Sequence, residues 1–104
     1  MSGVANPARG EASILVGGEP VVLRPSFAAL AAAEEELGPL FALVEGAAEG
    51  RLKLAEIAAL FWHCAAAAQG VTREAIGEAV AEQGLARAAP VLRVLLTQIL
   101  QGQA

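Results

Sequence analysis

The chain's one histidine and one cysteine stand next to each other, at His63 and Cys64. The apolar spacing around them predicts a helix, in which neighbouring side chains point about 100° apart and do not form a shared site. A nucleophilic cysteine needs a base from elsewhere in the chain, and a zinc site needs three or four ligands. No second histidine and no aspartate exists. We expect Cys64 to be a buried structural thiol, and we expect no metal, no cofactor and no enzymatic activity.

A run of three glutamates at 34–36 is the other group with chemical potential, because paired carboxylates can act as general acid and base. We interpret the last two as a solvated face. Glu34 follows Phe27 by seven residues, so it projects from the apolar side of its helix and requires a partner. Arg24 or Arg9 can supply a structural ion pair. Contact of Glu34 with another protein and acid–base catalysis are the alternatives.

Charge and hydropathy argue against two classes of partner, nucleic acid and the membrane. The net charge is −4, and the 7 basic residues are scattered, whereas nucleic-acid binding requires a concentrated basic face. The longest uncharged stretch, 57–72, is interrupted by Trp62, His63 and a run of alanines, so we predict no membrane span. The N-terminus carries no basic region followed by an apolar core, and one cysteine fits a reducing compartment. We expect a cytoplasmic protein.

The length of 104 residues is typical of one domain, which we predict over 1–104. Two strand-prone runs, at 11–16 and 21–24, flank Gly17 and Gly18. Glycine reaches the positive φ of a tight hairpin turn, so we predict a β-hairpin at 9–25 after a flexible tail at 1–8. The rest, 26–102, is predicted to be helical. The predicted fold is therefore α+β, with a hairpin packed on four to five helices.

Apolar spacing and capping residues define the predicted helices. They are Phe27–Leu37, a short helix from Leu40 that fades at 46–50, a strongly amphipathic helix at 54–68, Arg73–Gln83, and a last leucine-rich helix. Ser26 and Thr72 are predicted N-caps. Phe27 is placed on the apolar side of the first helix. Pro90 fits best in the first turn of the last helix; if that helix begins near Leu85, Pro90 should bend it.

Trp62 lies beside the apolar stripe of the third helix rather than at its centre. We interpret it as a core residue, with contact to another protein as the alternative, because tryptophan is enriched at interfaces. The alanines at 65–68 would allow another helix to approach closely.

The chain resembles a family of small phage-tail proteins encoded in gene transfer agent clusters of alphaproteobacteria. The resemblance rests first on the opening NPARGE at 6–11, the two strands around a glycine turn and the LRP at 23–25. It extends over the helix that ends at Leu37 and Gly38, the mid-chain helix that closes at Gly70 and the leucine-rich last helix. Glu34 matches a recurring glutamate of the family. The family is grouped with phage tail assembly chaperones and is also labelled a tail tube protein.

The resemblance implies an assembly chaperone that keeps the tape-measure protein competent while tail subunits assemble. The hairpin edge and an alanine-lined groove suit that role. A structural tail-tube component is the alternative; it would be incorporated in the particle. Tape-measure protein and tail tube subunits are the implied partners, and a homo-oligomer stays open. The expected contact residues are Arg9, Glu11, Arg24, Glu34 and Trp62. A small enzyme and a helix-turn-helix regulator built from 72–100 are rival interpretations.

Overall fold

The computed structural model describes residues 11–65 and 70–102. These form two strands and five helices: β1 (Ala12–Val16), β2 (Glu19–Leu23), α1 (Phe27–Leu37), α2 (Leu40–Ala48), α3 (Leu54–Cys64), α4 (Arg73–Gln83) and α5 (Leu85–Gln101). The order confirms the α+β prediction. The predicted tail at 1–8, the contact candidate Arg9 and the alanines at 66–68 lie outside the described residues.

The hairpin is closed by Gly17 and Gly18, whose φ angles are 60° and 83°. Two consecutive positive φ angles belong to the tight turn that matches the twist of an antiparallel pair. The turn sets the register, in which Val16 pairs with Glu19 and Leu15 with Pro20. Pairs alternate between hydrogen-bonded and non-hydrogen-bonded from the turn onward, so Pro20 occupies a position where its missing N–H costs no ladder bond.

The second strand is covered on its outer side by the end of α3. Leu23 forms an antiparallel bridge with Ala65, and the Arg24 N–H donates to the Cys64 carbonyl at 2.8 Å. Ala65 is extended, with φ −71° and ψ 134°. The predicted helix at 54–68 is therefore too long at Ala65, because the chain leaves the helix there to pair with β2.

The core surrounds α3, the most deeply buried helix. Its largest fully buried side chains are Phe61, Leu23, Leu60, Ile76, Leu95 and Cys64. They come from β2, α3, α4 and α5, and full burial of one large apolar side chain contributes about 1.5–3 kcal/mol. The hairpin, which would be marginal alone, is thus held by the helices.

The packed face of α1 differs from the predicted one. Ala33 is fully buried, with Leu30 and Leu37 packed beside it, whereas Phe27 is 88% exposed. Phe27 and Glu34 lie two turns apart on a neighbouring face that points to solvent. The prediction that both belong to the apolar side of this helix is therefore wrong.

The last helix begins at Leu85, so Pro90 lies inside it rather than in its first turn. Proline has no N–H, and the carbonyl of Ala86 consequently loses its donor four residues ahead. In α5 only Ala88 and Leu95 are buried. Its other large apolar side chains are partly or largely exposed.

Candidate interaction surface

Two of the predicted contact residues are brought together at the open end of the hairpin. Glu11 precedes β1, Arg24 follows β2, and the pairing of Ala12 with Leu23 makes them neighbours. The Arg24 Nε donates to Glu11 Oε2 at 2.9 Å. Glu11 is only 5% exposed, and about half of the Arg24 side chain is exposed. Arg24 is therefore the partner of Glu11.

Glu34 caps the next helix. It is exposed, and its Oε2 accepts the backbone N–H of Leu40 at 3.1 Å. The preceding residue, Pro39, has no side chain that can accept this bond, and a carboxylate is favourable at a helix N-terminus. Of the two predicted ion-pair partners of Glu34, Arg24 is wrong, because its guanidinium bonds Glu11, and Arg9 lies outside the described residues.

The third glutamate of the run, Glu36, belongs to a polar cluster rather than to a solvated face. Its Oε1 lies 2.8 Å from His63 Nε2 and accepts from Arg73 Nη2 at 2.8 Å, while Oε2 accepts from Arg73 Nη1. These hydrogen bonds, from Arg73 first and His63 second, lower the pKa of Glu36 to about 2. The cluster joins α1, α3 and α4.

Trp62 completes this cluster. The Arg73 guanidinium carbon lies 4.6 Å from the centre of its ring, His63 meets it edge to face at 5.0 Å, and its Nε1 donates to the Val71 carbonyl at 3.2 Å. Partial burial and these bonds give Trp62 a structural role. Contact of Trp62 with another protein stays a prediction. Sequence reasoning missed Glu36 and Arg73 because 37 residues separate them, and no local pattern links them.

Cys64 is buried and free, as predicted. Burial raises the pKa of its thiol to about 12, so the nucleophilic thiolate does not form near neutral pH. Its side chain lies in the core while His63 faces the polar cluster, so the two do not meet in one site. Among residues 11–65 and 70–102 no three histidine, cysteine or acidic side chains form a group that could hold a metal ion. Within the same residues, no helix combines the length and hydrophobicity needed to cross a bilayer.

An extended apolar surface lies between α2 and α5; we call it the α2–α5 face. It consists of two adjoining grooves of about 310 and 380 Å³ that share Val44 and Leu100. The first is lined by Val44, Ala47, Ala48, Ala89, Leu92, Arg93, Leu96, Thr97, Leu100 and Gln101. The second is lined by Glu34, Pro39, Leu40, Phe41, Val44, Ile99 and Leu100. Phe41 is 74% exposed and Leu100 53%.

The sequence of α2 explains this exposure. Its first five residues, LFALV, are all apolar, so the helix has apolar side chains both on the side that faces the core and on the side that does not. Leu43 takes the buried position, and Phe41 is left on the outside. Apolar surface of this kind, bordered by polar side chains, is typical of a contact with another macromolecule. The face was missed because the apolar spacing of both helices was assigned entirely to the core.

A comparison with protein families decides the relationship. Residues 9–102 match the model of the family described as phage tail tube protein, GTA-gp10. The chain belongs to this family. The resemblance to gene transfer agent tail proteins is thereby confirmed over nearly the whole chain. Comparisons with curated proteins and with solved structures gave no significant match.

Membership identifies this as a phage-tail-related protein of the gene transfer agent type. The family description names a tail tube protein, which agrees better with the tube alternative than with the assembly chaperone. Its partners are accordingly sought among other tail proteins.

Proposed function

We propose that this protein is a structural component of the tail of a phage-like particle, where it is incorporated through the α2–α5 face. One observation carries the proposal: a member of a family described as tail tube protein has an apolar face that residues 11–65 and 70–102 leave exposed. Tail tube subunits, copies of this chain among them, and the tape-measure protein are the proposed partners.

The energetics of the face favour contact with protein. Phe41 and Leu100 are mostly exposed, so their burial against a partner would release water from apolar surface that folding leaves wet. Phe41 lines the second groove, and buried aromatic side chains often dominate an interface. Arg93 and Gln101 border the first groove and could bond polar groups at its rim.

The same proposal includes the absence of catalysis. Cys64 is buried in the core, and the polar side chains of His63, Glu36 and Arg73 are engaged with one another. A chain with this chemistry works through shape and apolar contact.

A second candidate is a tail assembly chaperone, which would act before the particle is complete and stay in the cytoplasm. The fold favours it: the described residues hold one two-stranded sheet beside five helices, whereas tube subunits are generally rich in β-structure. In this role the α2–α5 face would hold an apolar segment of the tape-measure protein until tail subunits cover it.

A protein census of purified particles separates the two. A tube component should be present in a fixed, high copy number relative to the major tail protein. A chaperone should be required for tails to form and yet be absent from them. Normal tails in a strain that lacks the gene would contradict both proposals. Phe41→Ser should strongly reduce function in either case, while Phe27→Ser, at an exposed phenylalanine outside the two grooves, should leave it intact.

A further inference from the structure

Within residues 11–65 and 70–102, no strand pairs with the outer edge of β1, whereas the end of α3 pairs with the edge of β2. Because Val16 and Glu19 flank the two-residue turn as a hydrogen-bonded pair, Ser13 and Leu15 direct their backbone groups away from β2. The Leu15 carbonyl demonstrates this direction, since it accepts from the side chain of Gln83 at 2.6 Å. The N–H groups of Ser13 and Leu15 and the Ser13 carbonyl face the same way.

A groove of about 410 Å³ runs between this edge and the start of α5. It is lined by Ser13, Ile14, Leu15, Gln83, Ala86, Arg87, Pro90 and Val91. Pro90 matters here, because it cannot supply the N–H that the carbonyl of Ala86 would accept in a regular helix. The groove is thus bordered on one side by backbone groups of β1 that point away from β2, and on the other by a helix carbonyl whose usual N–H donor is replaced by proline.

An extended peptide backbone matches these groups. Strand edges pair with strands, since the spacing of N–H and C=O groups along an extended chain repeats that of the edge. The carboxamide of Gln83 already occupies one place that a backbone N–H of an added strand would take. An amide therefore fits at this edge in the folded protein.

The charge of the groove indicates which charge the bound peptide should carry. Arg87 is exposed and is the one charged side chain in the lining. The structure gives it no ion pair within the described ranges 11–65 and 70–102. A carboxylate on the incoming segment would complement it, and the exposed Leu15 side chain offers an apolar contact next to it.

We propose that the outer edge of β1 receives an extended, acidic segment of another tail protein, which adds a third strand to the hairpin beside Arg87. This inference rests on the proposed function in that the partner is a tail protein. It concerns a second surface, separate from the α2–α5 face. The bound segment displaces Gln83 from the Leu15 carbonyl and leaves the bonds between β1 and β2 in place.

The test uses an array of overlapping 12-residue peptides that covers the tail proteins of the particle and this chain itself. Wild type should capture acidic peptides from another tail protein. Ser13→Pro removes an edge N–H at a position where proline costs no bond to β2, so binding should fall at least tenfold, while Ser13→Ala should bind as wild type. Arg87→Glu should weaken binding roughly fivefold or more, and Arg87→Lys should largely preserve it.

Hydrogen exchange supplies a readout that does not depend on a variant's stability. With a captured peptide bound to wild type, exchange should slow at the N–H groups of Ser13 and Leu15. The proposal would be overturned if protection appeared elsewhere or if Ser13→Pro or Arg87→Glu bound as well as wild type. It would also be overturned if the array captured only this chain's own peptides or no peptide at all. The protein census of purified particles does not depend on β1. If the protein is found in the tail but its β1 edge binds no peptide, this inference fails while the proposed function stands.

Discussion

Replacing Phe41 with alanine should separate folding from assembly. The chain has three phenylalanines, and their exposed fractions differ widely: 88% for Phe27, 74% for Phe41 and 0% for Phe61. A side chain stabilises the folded monomer only by the surface that folding buries. The remaining surface is available to a partner, and for Phe41 that surface lies inside a groove of the α2–α5 face.

The magnitude follows from the exposed fraction of Phe41. Full burial of a phenylalanine contributes about 1.5–3 kcal/mol, so the buried quarter of Phe41 stabilises the monomer by roughly 0.4–0.8 kcal/mol. The exposed three quarters can contribute roughly 1.1–2.2 kcal/mol to a contact. At about 1.4 kcal/mol for each factor of ten, Phe41→Ala should weaken assembly roughly 6- to 40-fold.

Two assays measure the two effects on the same variants. Thermal unfolding of the isolated chain gives the effect on folding, and the yield of intact tails in a complemented strain gives the effect on assembly. Phe61→Ala, at the centre of the core, should lose roughly 3–5 kcal/mol of unfolding free energy. Phe27→Ala should change neither quantity by much, since Phe27 is exposed and lines neither groove.

The opposite pattern of effects on folding and assembly would contradict a contact role for Phe41. If Phe41→Ala destabilised the monomer as much as Phe61→Ala and left tail yield unchanged, Phe41 would be a core residue and the α2–α5 face would not be a contact. Equal loss of tails in Phe27→Ala and Phe41→Ala would show that any exposed phenylalanine matters, and the groove itself would have no special role.

Three further predictions concern stability and reactivity. The pKa of Glu36 is lowered from 4.5 to about 2, so its contribution to stability is present above pH 4.5 and is lost as the pH falls toward 2. In acid titrations followed by circular dichroism, Glu36→Gln should therefore flatten the loss of stability. An unchanged slope would contradict the role of Arg73. The thiol of Cys64 should resist maleimide at pH 8 and react once denaturant is added, because burial raises its pKa to about 12; rapid labelling of the native protein would be inconsistent with this. Pro90→Ala should raise the unfolding free energy by up to about 3 kcal/mol in urea titrations, since it restores a donor for the Ala86 carbonyl; a lower midpoint would speak against the interior position of Pro90.

Local signals predicted most of the elements. Ser26 accepts from the Ala29 N–H and Thr72 from the Ala75 N–H, as expected of N-caps, and α1 and α4 have the predicted bounds. The hairpin was predictable because two strand-prone runs flank Gly17 and Gly18, which adopt the positive φ angles of a tight turn without steric cost. Each of these features depends on residues only a few positions apart.

The errors arose where distant parts of the chain meet. The predicted third helix was too long because β2 captures Ala65 across the fold, and nothing near Ala65 indicates this. Phe27 was assigned to the core because helical spacing identifies an apolar stripe without saying which side another element covers. The α2–α5 face was not predicted for the same reason. Phe41 is a large apolar residue of the kind found in cores, but no other element of the described chain covers it.

The last turn of α1 is attached to three other helices. Glu34 and Glu36 are separated by one residue, yet the first holds the start of α2 and the second holds α3 and α4. Any rotation of this turn would pull on both attachments at once. Two carboxylates at the protein surface thus attach the start of α2 and the pair α3 and α4 to the same turn.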